Sequence, residues 1–153
     1  MINNLYKTFV DATRNVFNLM LHLSEVSDHP GEDCKCDDEV DIAVSIVGDL
    51  EGEVIYRFPV PTSLNMVNIM SGMQFQAVDV FVTSAISEIA NIISGNVLTV
   101  LEESNIKCDI SPPVLYKPDE DREENREYEL QTSCCIGTTI GEIYLDIRLN
   151  RPS

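Results

Sequence analysis

The sequence predicts an α+β fold, in which helices pack on an antiparallel-rich sheet. Apolar residues recur at helical spacing near the N-terminus and again across the middle of the chain. Two pairs of segments rich in β-branched residues alternate apolar and polar positions around turn-forming residues, as β-hairpins do. With 153 residues, the chain is predicted to form a single domain, residues 1–153.

The first third of the chain is predicted to contain a helix and a hairpin. Residues 6–23 place apolar side chains at helical spacing. Residues 24–38 are mostly polar with a Pro-Gly break, so a loop is expected there. Residues 40–47 and 53–60 read as two strands, and Gly48–Gly52 between them supplies the turn.

Two further helices are expected in the middle of the chain. A short helix runs to Met70, and Thr62 or Ser63 is suited to cap its N-terminus. A long helix spans residues 77–103. Asn105 follows it and can adopt the left-handed conformation that ends many helices.

The last third is predicted to complete the sheet. Residues 110–116 form a short extended segment, which its two prolines restrict to a sheet edge or a strand entry. Residues 118–126 read as a charged surface loop. Residues 128–136 and 140–149 then form a second hairpin around Gly137-Thr-Thr. The three helices, one long and two shorter, are expected to pack on the resulting sheet.

The chain is strongly acidic, with 26 Asp and Glu against 10 Lys and Arg and a net charge of −16. Such a surface repels nucleic acid and anionic membranes, so neither is expected as a partner. No apolar run approaches the length of about 18 residues that a membrane span needs, and no export signal is visible. We therefore expect a cytoplasmic protein whose five cysteines are reduced.

The long helix has two contrasting faces. An α-helix turns about 100° per residue, so residues at similar angles share a face. The apolar face, expected to be buried, comprises Ile86, Ala90, Ile93, Val97 and Val100. The opposite face is a polar strip comprising Ser84, Glu88, Asn91 and Gly95.

The polar strip contains residue types that helices disfavour. Asn91 is a mediocre helix former, and Gly95 costs about 1 kcal/mol relative to alanine. Gly95 therefore indicates either close approach of another backbone or tight packing under a loop. Glu88 and Asn91 meet at i and i+3, although such residues are also common on solvated helix faces. They lack a nucleophile but can position water and neutralise a cation, which suits hydrolysis of an activated phosphoryl group.

Two cysteine pairs are candidates for metal or redox chemistry. Cys34 and Cys36 lie in an acidic loop near His29, and thiolates with imidazole can bind Zn²⁺. A structural zinc site needs a second ligand pair, however, and the other cysteines are distant in sequence. Cys134 and Cys135 are strand neighbours that face opposite sides, so at least one should pack in the core. No metal site is therefore predicted.

The order of residues around the polar strip resembles that of the CheC/CheX chemotaxis phosphatases, and the CheX branch in particular. The shared pattern is Ser84-x-x-x-Glu88-x-x-Asn91-x-x-x-Gly95-Asn96, followed by Pro112-Pro113. The opening Phe9-Val-Asp-Ala, the strand Gly52-Glu-Val-Ile-Tyr-Arg-Phe58 and the short helix before the long one occur in the family's order. The resemblance spans nearly the full length of the chain.

The resemblance implies a phosphatase that hydrolyses the aspartyl phosphate of a CheY-type response regulator. By this resemblance, Asn91 orients the attacking water and Glu88 pairs with the regulator's lysine. Ser84, Gly95 and Asn96 are implied partner contacts. No cofactor is expected on this chain, because the Mg²⁺ belongs to the regulator. CheX proteins are typically homodimers joined through their sheets, so a homodimer is expected.

Departures from the family pattern leave alternatives open. CheC proteins carry two Glu-x-x-Asn sites, whereas the first helix here has Asp11 and Asn15, so one site per chain is expected. The alternative function is a non-catalytic module of the same fold that binds a receiver domain or a signalling scaffold. A cysteine-based metal or redox protein built on Cys34 and Cys36 is a third interpretation.

Overall fold

The computed structural model describes residues 5–30, 38–116 and 128–151. This part of the chain forms three helices and seven strands. In chain order they are α1 (Leu5–Leu21), β1 (Ser27–Pro30), β2 (Glu39–Gly48), β3 (Glu51–Pro59), α2 (Val60–Ser71), α3 (Val80–Glu103), β4 (Cys108–Ile110), β5 (Val114–Leu115), β6 (Leu130–Thr138) and β7 (Gly141–Asn150). The predicted α+β class is confirmed, whereas the single-domain assignment of residues 1–153 stays a prediction.

All seven strands belong to one antiparallel sheet with the order β1-β6-β7-β3-β2-β4, and β5 also pairs with β2. The two predicted hairpins, β2–β3 and β6–β7, join at the centre, where Val54 lies opposite Ile147. β4 and β5 both lie against β2. Pro112 and Pro113 separate these two short strands, which confirms the predicted proline-limited edge.

The helices cover one face of the sheet and bury its alternate side chains. Val54, Tyr56 and Phe58 of β3 are fully buried in the core beneath them. α3 contacts α1, α2, β2 and β4. Four of the five predicted apolar-face residues of α3 are buried, but Val100 is 45% exposed. In the last turn the buried side shifts to Leu101, whose carbonyl accepts the Ile106 N–H as the chain turns toward β4.

The start of α2 differs from the prediction, since neither Thr62 nor Ser63 caps it. The helix begins at Val60 with Pro59 at the N-cap and no capping side chain. Pro61 in the first turn favours this start, because its missing N–H is not needed there. The Thr62 hydroxyl instead donates to the carbonyl of Glu142, and that of Ser63 to the carbonyl of Val60.

The predicted loop over residues 24–38 is wrong in part, because Ser27–Pro30 forms β1 and pairs with β6. This strand is polar, so it carries no apolar alternation that could reveal it. The turn between β2 and β3 is also shorter than the predicted Gly48–Gly52. It consists of Asp49 and Leu50, and Leu50 is buried in the core. Residues 31–37 and 118–126 lie outside the described residues.

α3 also corrects the expectation that no segment is long and apolar enough to span a membrane. An 18-residue window of Val80–Glu103 has a mean hydropathy of 1.3 and passes that test by length and composition. The same test is passed by core helices of soluble proteins. In this fold the apolar face of α3 packs against the sheet and the other helices.

Candidate active site

The ends of α3 are fixed by local hydrogen bonds. Asp79 is the N-cap, and its Oδ1 accepts the N–H of Val82 at 2.9 Å. The helix therefore starts later than the predicted Ala77. Asn105 has φ 63°, which confirms the predicted left-handed residue after the helix.

A buried hydrogen bond fixes the rotation of α3 over the sheet. The Tyr56 hydroxyl and the Ser94 Oγ lie 2.8 Å apart, and Ser94 donates to the carbonyl of Ala90 at 2.9 Å. Burial raises the pKa of Tyr56, so its phenol keeps its proton. Ala90 directly precedes Asn91, so this contact holds the helix with the polar strip turned away from the core.

The polar strip lies on the outer side of α3 as predicted. Ser84 and Glu88 are exposed, whereas Asn91 and Gly95 are half-buried. Within the described part of the chain, the side chains of Glu88 and Asn91 form no hydrogen bond or ion pair. Both polar groups therefore remain available to a partner. Asn96, the other residue implied as a partner contact, is half-buried and points about 100° away from Gly95.

Gly95 faces open space. Apart from its chain neighbours and the adjacent backbone of α3 itself, a Cβ built on it would meet no described atom within 4 Å. Gly95 also lacks a positive φ, so the backbone conformation does not require glycine. The tight packing offered as one explanation of this glycine is therefore absent among residues 5–30, 38–116 and 128–151.

An apolar group that the sequence analysis missed borders the N-terminal end of the polar strip. We define the apolar rim as Met73, Val80 and Phe81, which are all exposed. The Phe81 ring stacks on Phe75 with a centroid separation of 5.1 Å and an interplanar angle of 8°. The sequence does contain a signal for this rim. Val80 and Phe81 project to the polar side of the helix, where apolar residues are not expected.

A cluster of charged side chains lies on the sheet face opposite the helices. The Arg57 guanidinium contacts Asp146 at 2.6 Å, Asp41 at 3.1 Å and Glu39 at 3.4 Å. Burial, together with the neighbouring Glu39, raises the pKa of Asp41 to about 6 against the attraction of Arg57. The sequence analysis missed this cluster, which the sheet separates from the polar strip.

Cys134 and Cys135 are both buried in the sheet. Cys134 packs in the core beneath the helices, and Cys135 is buried on the other face, where its Sγ donates to Glu142 Oε2 at 2.8 Å. Their opposite orientation is as predicted. Cys34 and Cys36 and the side chain of His29 lie outside the described residues. In the part of the chain that the structure describes, no group of three or more His, Cys, Asp or Glu could hold a metal ion.

Comparisons with known proteins converge on one family. The model of the CheC-like family matches residues 81–116, from the first turn of α3 to the residue after β5. A protein named CheY-P phosphatase CheX from Thermotoga maritima is 36% identical over 73 residues. This match covers 47% of the present chain and 47% of that protein, so it spans about half the length of the relative.

Solved structures extend the likeness to the whole fold. Chemotaxis protein CheX from Vibrio vulnificus superposes with a TM-score of 0.79 at 20% identity, covering 95% of this chain and 99% of that one. A chain of the CheX–CheY–BeF₃–Mg²⁺ complex from Borrelia burgdorferi gives a TM-score of 0.76 at 22% identity, covering 95% of this chain and 97% of that one. The chain resembles the CheC/CheX-type phosphatases and has their fold. At this identity the structures establish the CheX-like fold alone. The match to the CheC-like family model, residues 81–116, includes the helix that carries the polar strip.

Proposed function

We propose that this CheX-like chain hydrolyses the aspartyl phosphate of a CheY-type response regulator. The observation that carries the proposal is the outer side of α3, where Glu88 and Asn91 have no bonding partner among the described residues and Gly95 faces open space. The similarity to a CheY-P phosphatase and to a CheX crystallised with CheY supports it.

In the proposed reaction, a water oxygen attacks the phosphorus while the bond from phosphorus to the aspartyl oxygen breaks. The products are inorganic phosphate and the free aspartate of the regulator. The Asn91 carboxamide orients the water, and the Glu88 carboxylate pairs with the regulator's lysine. Such catalysis depends on positioning and electrostatics rather than on a nucleophile of this chain. The Mg²⁺ that neutralises the phosphoryl charge is proposed to be bound by the regulator.

The setting of the reaction is part of the same proposal. The response regulator is a cytoplasmic signalling protein in this scheme, and the chain is proposed to act there as a homodimer. Ser84, Gly95 and Asn96 are proposed to contact the regulator beside the two catalytic side chains.

The test follows phosphate loss from a phosphorylated CheY-type receiver mixed with wild-type protein and variants. Asn91→Ala is expected to lower kcat by at least about 100-fold, the order lost when one positioned polar group leaves an active site. Glu88→Ala is expected to raise KM by about 10-fold, equivalent to about 1.4 kcal/mol of docking energy. Asn15→Ala on α1 is the matched control and should leave both constants unchanged, because one site per chain is expected. Wild-type kinetics in Asn91→Ala would refute the mechanism.

The same mixtures distinguish the alternative, a module of this fold that binds a receiver or scaffold without catalysis. In that case the wild-type chain would bind the phosphorylated receiver but leave its phosphate lifetime unchanged.

A further inference from the structure

The apolar rim is unusual for the surface of a strongly acidic protein. Val80 is 83% exposed, Met73 60% and Phe81 54%. Single exposed apolar side chains need no explanation, but exposed groups of them mark binding surfaces. These three lie within residues 73–81, at the end of the polar strip.

The rim is held in an ordered arrangement. The Phe75 N–H donates to Asn68 Oδ1 at 2.7 Å, and the Met73 N–H donates to the Ser71 hydroxyl at 3.0 Å. Phe75 in turn packs against the core and stacks on Phe81. A side chain whose conformation is already fixed loses little entropy when a partner binds. Phe81 is therefore suited to be a binding anchor.

Viewed down the axis of α3, the apolar rim lies on both sides of the polar strip. With Ile86 at zero, the strip lies at about 140–200°, Val80 at about 120° and Phe81 at about 220°. The two apolar side chains therefore border the two sides of the strip at its N-terminal end. At a rise of about 1.5 Å per residue, Phe81 lies about 10 Å along the axis from Glu88 and about 15 Å from Asn91.

These distances fall within the footprint of a protein partner. A specific interface covers about 800 Å² on each protein, which corresponds to a patch roughly 16 Å in radius. A patch of this size centred on Asn91 therefore reaches Phe81, and one centred on Glu88 covers both Phe81 and Val80, which lies about 12 Å along the axis from Glu88. A small phosphorylated metabolite would leave the rim exposed.

We propose that the apolar rim is the docking anchor for the receiver domain. It would contact apolar side chains of the receiver about 15 Å from the phosphorylated aspartate, the axial separation between Phe81 and Asn91 on α3. This inference rests on the proposed function and adds the surface chemistry that the partner must have. Exposed aromatic side chains with fixed conformations commonly dominate such interfaces.

The test uses Val80→Ser, Phe81→Ser and a matched control, Val100→Ser. Val100 is an exposed valine of the same helix, about 14 Å along the axis from Asn91 but on a different side. Two measurements are made on each protein: the kinetics of receiver dephosphorylation, and the Kd for the same receiver loaded with beryllofluoride and Mg²⁺. The two rim variants are expected to raise KM and Kd by about 10-fold each while kcat stays within about 2-fold. Val100→Ser should match wild type.

The outcomes separate this inference from the proposed function. Unchanged KM and Kd in both rim variants, with an active wild type, would overturn the docking anchor alone. A wild type that binds the receiver without hydrolysis would overturn the phosphatase, and weaker binding by the rim variants would still support the anchor. A wild type that binds no receiver overturns both. Light scattering measures the oligomeric state of each protein. A rim variant with an altered oligomeric state would show that a second copy of this chain, rather than the receiver, covers the rim.

Discussion

Replacing Asp41 with Asn tests the charged cluster on the open face of the sheet. The cluster holds three carboxylates, those of Glu39, Asp41 and Asp146, around the single cation of Arg57. One oxygen each of Glu39 and Asp41 is buried without a hydrogen-bond partner in the described structure. Burial is the main cause of the raised pKa of Asp41, and Glu39 contributes through its negative charge and through the hydrogen bond that a proton on Asp41 supplies. When all three carboxylates are ionised, the cluster therefore holds two more negative charges than positive ones, and a proton on Asp41 removes one of them.

The direction in which stability changes with pH follows from the raised pKa of Asp41. Folded Asp41 binds a proton at about pH 6, whereas its usual pKa is 3.8, so the folded state holds more protons than the unfolded state between these values. The stabilisation is present at low pH and is lost as the pH rises through about 6. The shift of about 2 units corresponds to at most about 3 kcal/mol, of which about 1 kcal/mol falls between pH 5 and pH 7. Asp41→Asn removes the ionisation and should stabilise the protein at pH 7 by about 1–3 kcal/mol.

The assay is urea unfolding of wild type and Asp41→Asn at pH 5, 6, 7 and 8. The free energy of unfolding should fall with pH in the wild type and change less in the variant. Asp109→Asn, which removes an exposed carboxylate from β4, controls for the general effect of lowering the net charge. If Asp41→Asn is less stable than wild type at pH 7, the reasoning is refuted, because the ion pair with Arg57 then outweighs the burial of the charge.

Three further predictions concern α3 and its contact with the sheet. Gly95→Ala is expected to raise the free energy of unfolding by about 0.5–1 kcal/mol, because alanine favours the helix and its Cβ meets no described atom within 4 Å beyond the adjacent backbone of α3. Gly95→Leu should keep the fold but lower kcat/KM for the phosphorylated receiver by about 10-fold or more through steric exclusion, and unimpaired kinetics would remove the role of this glycine in docking. Tyr56→Phe is expected to cost about 1 kcal/mol in urea unfolding, because it removes one buried hydrogen bond while Ser94 keeps its bond to Ala90. An unchanged unfolding midpoint would show that this contact does not hold α3.

Periodicity was sufficient to predict the elements with strong local patterns. The helices and the two hairpins follow from apolar spacing and turn residues, and their observed bounds differ by a few residues from those expected. β1 could not be found in this way, because Ser27 and Asp28 offer no apolar alternation. Its place is set by pairing with β6, a contact between distant parts of the chain.

Some features of the candidate site and its surroundings could likewise be predicted from the sequence, and others could not. Glu88 and Asn91 share a face because of helix geometry alone, so the sequence is enough to place them together. The cluster around Arg57 depends on strand register instead. Asp41 lies directly opposite Arg57, but Asp146 reaches it only because β3 pairs with β7. The complete cluster cannot be read from local spacing, since Asp146 is 89 residues from Arg57 along the chain.

The interpretation of the polar strip depends on the lack of close contacts to Gly95 among the described residues. A mid-helix glycine and a mid-helix asparagine both weaken α3 relative to alanine. Positive φ and close packing are the usual structural reasons for glycine, and neither applies to Gly95 in the described structure. Asn91 likewise gains no hydrogen bond from a described residue in return. A helix that carries these losses at its centre, while four of the five residues of its apolar face are buried, supports the proposal that the compensation arises when a partner binds.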